Sequence, residues 1–280
     1  ATAQRARDAG ADLVLELPRT GKVRAQDAAV DRATGELLAF SDANARWAPD
    51  ALRRLADAFG DPRVGYAAGR VTFSSADGTN QEGLYWRYDS WMRGHESALA
   101  SITAGNGAIY AVRPAAYLRL DPRVSHDLAF PAQLVKRGWR AVDVADARAS
   151  EKMVPSIEGE WARKRRMMAH VWPMVARGGL LDLRGYPPLY AAMVISHRAL
   201  RYASPLLHVA ALAASVRASR AALAAQLALL AAAVAGARVR ARPLLLARYY
   251  VLTTASIAAG LHDWLRHGTT PEWEAAEGAR

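Results

Sequence analysis

Residues 37–51, LLAFSDANARWAPDA, decide how the chain around them folds. The stretch is apolar up to Ser41, a pattern that predicts a short buried strand. Asp42 follows that strand directly and Asn44 comes two positions later, so both polar side chains can point into the crevice where open α/β sheets bind ligands. A carboxylate there can hold a ribose hydroxyl or a divalent cation that bridges a diphosphate. The alternative is that Asp42 only begins a turn and caps the helix near Pro49.

Two segments before this strand complete a predicted βαβ unit. The run DLVLEL at 12–17 predicts a strand, residues 22–33 predict a helix, and Gly35 ends that helix before the strand at 37–41. A strand, a helix and a strand at this spacing predict a parallel sheet. Later segments extend it into an α/β nucleotide-binding fold with a mixed sheet: helices at 49–59, 85–99 and 127–136, and strands at 64–73, 107–112 and 140–147.

The composition changes near residue 185. The 280 residues carry a formal net charge of +11, but no acidic residue occurs between Gly185 and Asp263, where Ala, Leu and Val dominate. Arginines surround these apolar stretches, which favours anionic lipid headgroups over nucleic acid as the partner. No helix-turn-helix pattern and no basic surface interleaved with aromatic residues points to nucleic acid. The arginines concerned are Arg198, Arg201, Arg217, Arg220, Arg238, Arg240 and Arg242.

Three apolar segments make up the second half, and the middle one, 221–237, has 17 uncharged residues. That length is at the short end of what spans about 30 Å of hydrocarbon. Spanning helices, which the pattern favours, helices lying in the interface and a soluble helical bundle all remain open. We therefore predict an α/β domain at 1–157, a basic interface helix region at 158–185, membrane-associated helices at 186–267 and a C-terminal tail at 268–280.

The chain contains no cysteine, which excludes disulfides, thiolate metal sites and cysteine nucleophiles. Its first ten residues are polar, and they predict no signal peptide. The sequence begins without Met and enters a strand-like run almost at once. We therefore expect an upstream part.

Residues 21–59, GKVRAQDAAVDRATGELLAFSDANARWAPDALRRLADAF, resemble the family 2 glycosyltransferases of GT-A fold, the group that contains cellulose-synthase-like and hyaluronan-synthase-like enzymes. In that family a Gly-Lys segment precedes a strand that ends in an Asp-x-Asp element. Lys22 stands in the first place and Asp42-Ala43-Asn44 in the second, with Asn44 where many relatives have the metal-binding aspartate. The resemblance implies that Lys22, Asp42 and Asn44 bind a nucleotide-sugar donor, and that Asp42 and Asn44 hold Mg²⁺ or Mn²⁺.

Residues 105–113, GNGAIYAVR, look like the family's small-residue strand that lines the acceptor site. The resemblance implies that Gly105, Asn106 and Gly107 approach the acceptor. Glycines permit such a close approach of the backbone, although a tight strand junction would need them equally.

Ser125-His126-Asp127, at the start of a predicted helix, is similar to the family's short acidic motif, whose aspartate is the catalytic base. Asp127 is therefore the candidate base, because inverting glycosyl transfer needs a carboxylate to take the proton of the attacking hydroxyl. His126 is expected to shape the site. Considered without the resemblance, Asp127 would be a helix cap.

The basic stretch EWARKRRMMAHVW at 160–172 places Arg163 and Arg166 on one helical face. It resembles part of the family's Gln-x-x-Arg-Trp motif, with Arg163 at the Gln position and Met167 at the Trp position. The resemblance implies that both arginines bind the donor diphosphate. The alternative is that this helix binds anionic lipid.

Taken over nearly the whole chain, the resemblance implies an inverting glycosyltransferase that acts on a glycan or lipid-linked acceptor, in polysaccharide or cell-envelope glycan synthesis. It implies a multi-pass protein of the cell membrane with a cytoplasmic catalytic domain. The run at 262–280 looks like the ending of membrane-bound relatives, with Trp264 and Trp273 suited to the interface. The family's first strand and its base-binding acidic residue would precede Ala1. A non-catalytic membrane-anchored scaffold with the same fold is the alternative.

Overall fold

The structure, a computed structural model, describes residues 2–18, 21–74, 82–152, 154 and 156–269. Five strands in this part of the chain form one mixed sheet in the order β1-β4-β3-β5-β2. They are β1 (Leu38–Ser41), β2 (Arg46–Trp47), β3 (Val64–Ser74), β4 (Ile109–Val112) and β5 (Arg140–Lys152).

The pairing of the strands confirms the mixed sheet but not the predicted βαβ unit. β4 runs antiparallel to both β1 and β3, β2 runs antiparallel to β5, and β3 and β5 are parallel. Residues 12–17 form no strand, and Leu13 and Leu17 are 55% and 43% exposed. The prediction was wrong because an apolar run becomes a strand only where a neighbouring backbone pairs with it, and periodicity does not reveal that neighbour.

The other predicted elements of the first half form, with shifted ends. β5 continues to Lys152, five residues past its predicted end, and β4 begins only at Ile109. The predicted helix at 49–59 is an α-helix followed by a 3₁₀ turn, Ala58–Gly60. The helices of this half are α1 (Thr2–Asp8), α2 (Lys22–Val30), α3 (Ala51–Asp57), α4 (Glu82–Leu99) and α5 (His126–Val135).

Hydrophobic side chains cover both faces of the sheet. On one face Leu55 of α3 packs with Val71 and Ile109. On the other face Tyr66 and Phe130 of α5 stack with ring centroids 6.1 Å apart. Alanines such as those at 67, 68 and 111 keep the strands thin enough for these helices to approach closely. The two layers hold the ends of β1, β4 and β5 in fixed positions.

Helices make up most of the described part of the C-terminal half, and its other described segments are turns and loops. Two of its stretches, Pro188–Ala218 and Arg242–His267, are long and apolar enough to cross a membrane by length and composition. The first contains a π-helical turn, Val194–Ala199, between two α-helices. The helices are α6 (Ile157–Ala176), α7 (Pro188–Met193), α8 (Leu200–Ala218), α9 (Arg220–Ala235) and α10 (Arg242–His267).

α10 lies against the basic helix α6. The Trp172 indole nitrogen donates a hydrogen bond of 3.0 Å to the backbone oxygen of Ile257, and Arg165 pairs with Asp263 at 2.6 Å. Trp264 receives the guanidinium of Arg177 over its ring, 5.4 Å from the centroid, so it faces the protein. Trp273, the second predicted interfacial tryptophan, lies outside the described residues.

Candidate active site

Lys22 and Asp42 form an ion pair at the carboxyl end of β1. Lys22 is the first residue of α2, which starts after Gly21 at a positive φ of 95°. Asp42 follows the last residue of β1. Their side chains are 47% and 33% exposed, so the pair is open to a ligand. The structure therefore brings together two residues that are far apart in the sequence.

A cavity of about 630 Å³ opens at this ion pair. α2 supplies one wall and β1 the other, and the lining is mostly apolar between Gln26 and the strand. Ligand pockets of proteins commonly have volumes of roughly 300–1,000 Å³ and combine apolar walls with a few polar groups. The volume of the cavity falls within this range, and Asp42 is the carboxylate in its wall.

The 105–107 loop passes directly over the ion pair. A Cβ atom added to Gly107 would lie 2.9 Å from Lys22 Nζ and 3.2 Å from Asp42 Oδ2. A Cβ added to Gly105 would lie 2.0 Å from the hydroxyl of buried Tyr66. Gly105 is therefore required by buried Tyr66, whereas a side chain at 107 would displace the movable ends of Lys22 and Asp42.

Asn106 is buried between the two glycines and holds the loop in shape. Its amide nitrogen donates to the Gly69 backbone oxygen at 2.7 Å, and its amide oxygen accepts from the backbone of Ala108 and Ile109 at 3.1 and 2.9 Å. The sequence predicts Asn106 as an acceptor ligand. In the structure its amide is engaged by the backbone, so the side chain shapes the loop.

Asp127 lies in the first turn of α5 and is joined to the same loop. The Gly105 amide donates a hydrogen bond of 2.7 Å to the backbone oxygen of Asp127. The carboxylate is half-buried and accepts from its neighbour Leu128 at 3.1 Å. Because two residues of chain span at most about 7 Å, the loop brings the Asp127 backbone close to the Lys22 and Asp42 pair.

His126 stands beside Asp127 but faces the aromatic core. It is buried, its ring packs edge-on against Phe130, and Tyr110 Oη lies 3.0 Å from its Nδ1. Burial, with a smaller contribution from the charge of Lys22, lowers the pKa of His126 to about 3. His126 is therefore neutral at physiological pH and carries no charge into the site.

Glu151 is a site residue that the sequence analysis missed. It lies at the far end of β5, where the Asn44 side chain is within hydrogen-bonding reach of its carboxylate. Burial and the negative charge of Asp42 raise the pKa of Glu151, and the charge of Arg163 opposes this. The Glu151 carboxylate is therefore surrounded by four polar or charged side chains, those of Lys22, Asp42, Asn44 and Arg163. The alternating pattern of residues 145–151, ADARASE, was the available signal, and it required a longer strand than the one predicted.

The two predicted arginines of α6 have different surroundings. Arg163 pairs with buried Glu160 through two hydrogen bonds of 2.9 and 2.8 Å, which fixes its guanidinium near Glu151. Arg166 is half-buried and its Nε has no hydrogen-bond partner within the described chain. No contact among the described residues joins Arg166 to the rest of the site.

The oxygen atoms at this place fit a hard divalent cation. Asp42, Asn44 and Glu151 offer carboxylate and amide oxygens, and the two carboxylates are close enough for Asp42 to raise the pKa of Glu151. Among the described residues no group of three His, Cys, Asp or Glu side chains gathers tightly enough to hold a metal alone. One or two carboxylates together with substrate phosphates are, however, the usual Mg²⁺ ligands. The site therefore suits a cation that is shared with a bound diphosphate.

Comparisons with known proteins support this fold. Residues 13–120 match the family model described as glycosyl transferase family 2. An N-acetylglucosaminyltransferase of Rhizobium sp. (strain N33) is 27% identical over 194 residues, which cover 64% of this chain and 42% of that protein. The chain thus spans less than half the length of this relative.

Among solved structures, the mannosyltransferase PcManGT from Pyrobaculum calidifontis, in complex with GDP-Man and Mn²⁺, is similar with a TM-score of 0.66 and 24% identity. The match covers 94% of this chain and 72% of that one, and it supports the fold. Lys22, Asp42, Asn44 and the 105–107 loop all lie within the segment that matches the family model. Residues 13–120 are therefore similar to glycosyl transferase family 2, and the similar solved structure supports the GT-A fold.

Proposed function

We propose that the chain transfers a sugar, with inversion, from a nucleotide-diphosphate donor to a hydroxyl group of a glycan or lipid-linked acceptor. The observation that carries the proposal is the 105–107 loop, which touches the Lys22 and Asp42 pair through Gly107 and the backbone of Asp127 through Gly105. One short loop thus connects a candidate donor site with a candidate base. Such proximity between bound reactants is what group transfer requires.

On the donor side, the cavity between α2 and β1 would receive the nucleoside, and Lys22 and Arg163 would bind the diphosphate. Asp42 and Asn44, with Glu151 beside them, would hold Mg²⁺ or Mn²⁺. The cation would neutralise charge on the diphosphate as it leaves. The similar structure from Pyrobaculum calidifontis contains GDP-Man and Mn²⁺, which supports this class of donor and cation.

On the acceptor side, Asp127 would take the proton from the acceptor hydroxyl. The oxygen then forms a bond to the anomeric carbon, and the bond from that carbon to the diphosphate oxygen breaks on the opposite face. The nucleoside diphosphate leaves with the electron pair, and the configuration at the anomeric carbon inverts. Gly105 and Gly107 would line the acceptor side with their backbone.

The test is donor turnover by the purified chain in detergent, with Mn²⁺ and either UDP-N-acetylglucosamine or GDP-mannose, the donors suggested by the relatives' names. We expect release of nucleoside diphosphate that depends on a membrane-lipid or glycan extract. The alternative is a non-catalytic scaffold that binds no donor, because Asn44 stands at a position that is often a metal-binding aspartate in the family. Calorimetric silence towards UDP, GDP and their sugars with Mn²⁺ would favour that scaffold.

We also propose that the α8–α9 hairpin is the membrane-facing part of the chain. Leu206 and Val209 of α8 are 72% and 67% exposed, and Val234 of α9 is 62% exposed, although these side chains are apolar. α9 has 16 residues, hence a length of about 24 Å, somewhat less than the hydrocarbon thickness. α10 is fastened to α6 by Arg165 and Asp263, so it would lie at the membrane surface. A multi-pass arrangement with a cytoplasmic catalytic part stays a prediction.

Vesicle flotation tests the membrane proposal. We expect the chain to float with vesicles of phosphatidylcholine and phosphatidylglycerol, because the arginines at both ends of the hairpin attract anionic headgroups. Leu206→Lys should abolish flotation. Leu52→Lys changes a leucine of the catalytic part that is 56% exposed and should leave flotation intact. Equal flotation of both variants would remove the assignment to this hairpin.

A further inference from the structure

Two adjacent polar residues of the apolar C-terminal half are buried against the catalytic part. His197 and Arg198 are 8% and 4% exposed, and both lie in the π-helical turn Val194–Ala199. A π-turn adds a residue to the helical turn and often marks a functional position. Here two consecutive polar side chains of the turn are both buried.

Both side chains belong to a hydrogen-bonded network around Thr103. Glu96 of α4 accepts from the Thr103 hydroxyl at 2.8 Å and from the Thr103 amide at 2.9 Å. His197 Nδ1 lies 2.6 Å from the Glu96 carboxylate, and Arg198 Nε donates to the Thr103 hydroxyl at 2.8 Å. Glu96 and Thr103 are 3% and 0% exposed, so water does not compete for these bonds.

Thr103 is two residues before Gly105, whose amide holds the backbone of Asp127. The preceding residue, Ile102, is also fixed, because its backbone oxygen accepts from the buried Tyr190 hydroxyl of α7 at 3.2 Å. The chain segment that leads into the 105–107 loop is therefore attached to the C-terminal helices at two successive residues.

Burial of a carboxylate, an imidazole and a guanidinium is costly unless each is paired, and packed apolar residues of similar volume would often be as stable. Stability alone therefore gives little reason for a buried polar network between α4, Thr103 and the π-helical turn. What it does supply is a fixed position for Thr103, and through Gly105 for the Asp127 backbone.

We propose that Glu96, Thr103, His197 and Arg198 are positioning residues, which hold the 105–107 loop and thereby set the place of the candidate base from the C-terminal helices. The proposal rests on the proposed transferase function for its kinetic consequence, and on the hydrogen bonds alone for its structural consequence. The helices that we assign to the membrane are thus mechanically joined to the loop over the donor site.

The test compares Thr103→Val, which keeps the shape but removes the hydroxyl, with Thr103→Ser, which restores it. We expect Thr103→Val to lower kcat by about tenfold or more, since a small misplacement of a reacting group has effects of this size. The donor dissociation constant should change by less than about twofold, because the Lys22 and Asp42 pair is untouched. Thr103→Ser should recover the wild-type kcat.

Hydrogen exchange supplies a readout that does not need transfer activity. The Gly105 amide should exchange faster in Thr103→Val and at the wild-type rate in Thr103→Ser. Ser256→Ala removes another buried hydroxyl, one that donates to Thr253 at 2.7 Å in α10, and should change neither readout. If Thr103→Val does not fold, Arg198→Lys takes its place. That variant removes the Nε group that donates to the Thr103 hydroxyl.

The outcomes separate the two proposals. An inactive wild-type chain with faster Gly105 exchange in Thr103→Val would reject the transferase function and keep the network. An active chain in which Thr103→Val leaves both kcat and Gly105 exchange unchanged would overturn the positioning role. Loss of activity caused only by weaker donor binding would overturn it as well.

Discussion

The amide nitrogen of Gly105 lies 2.7 Å from the backbone oxygen of Asp127, and this hydrogen bond ties the start of α5 to the loop over the donor side. Tyr66 packs under that loop and leaves no room for a side chain at 105. The relationship joins Asp127 to the loop through its backbone.

Asp127→Asn should reduce transfer by about a hundredfold or more, because the amide cannot accept the proton of the acceptor hydroxyl. Donor affinity should stay unchanged, since the residues that contact Lys22 and Asp42 remain. Turnover assays and calorimetry measure the two quantities. The control is Asp121→Asn, an exposed carboxylate paired with Arg123 at 2.6 Å. Full activity of Asp127→Asn would remove the assignment of the base.

Gly105→Ala should lower the stability of the fold, whereas Gly107→Ala should weaken donor binding. The new Cβ at 105 would be 2.0 Å from the rigid, buried Tyr66 hydroxyl, so we expect a loss of about 1–3 kcal/mol in the free energy of unfolding. The new Cβ at 107 meets the movable end of Lys22 and should weaken donor binding while the fold persists. Gly60→Ala has nothing within 4 Å and serves as the control in urea unfolding and calorimetry. Equal stability of the first two variants would contradict this.

His126 should make the protein acid-sensitive. Its folded pKa of about 3 lies below its unfolded value, so the unfolded chain binds a proton first as the pH falls below 6.5. Stability from this group is present above that pH and is lost towards pH 3, at about 1.4 kcal/mol per pH unit. Urea unfolding between pH 7 and 4 should show a shallower pH dependence for His126→Phe. If the free energy of unfolding depended on pH equally in both proteins, another group would be responsible for the loss of stability at low pH.

Glu151→Gln should have its largest effect above the folded pKa of Glu151. Burial and the charge of Asp42 raise that pKa, so the charged carboxylate costs stability, which is lost as the pH rises through the folded value. The variant should therefore melt higher than wild type at pH 7.5, with the difference shrinking at pH 4.5. Mn²⁺ should reduce the difference at pH 7.5, because a cation would stabilise the charged form. A variant that melts lower at pH 7.5 without metal would refute this account.

Removal of divalent cations should abolish donor binding. Excess EDTA takes away the charge that offsets the diphosphate, and added Mn²⁺ should restore binding. Asp42→Asn should require a higher Mn²⁺ concentration for half-maximal binding, while Asp50→Asn, whose partner is Arg54, should not. Donor binding that persists in EDTA would exclude the cation from the site.

Sequence reasoning located the site residues that follow an apolar strand or precede a helix, because local pattern and order along the chain define them. Asp42 is of this kind, whereas Lys22 and Gly107 were indicated by the family resemblance. The structure brings the three residues together. Strand partners are set by distant segments, so the antiparallel pairing of β1 with β4 was not accessible.

The missed residues have a similar explanation. Glu151 lies in a strand of small and polar residues, where alternation is weaker than in an apolar strand. The interruptions at His197 and Arg198 were visible in the apolar segment, but their partner Glu96 is a hundred residues away and unmarked by any local pattern.

The order of the strands has a consequence for synthesis of the protein. β5 lies between β3 and the short β2, yet it is the last of the five to leave the ribosome. A nascent chain that ends before Arg140 already contains Lys22, Asp42 and Asp127, but it lacks the strand that carries Glu151 to Asn44. The sheet is thus completed only after β5 has been made. A fragment that ends with α5 would lack β5, leave the edge of β3 unpaired, and be unsuitable as a minimal catalytic unit.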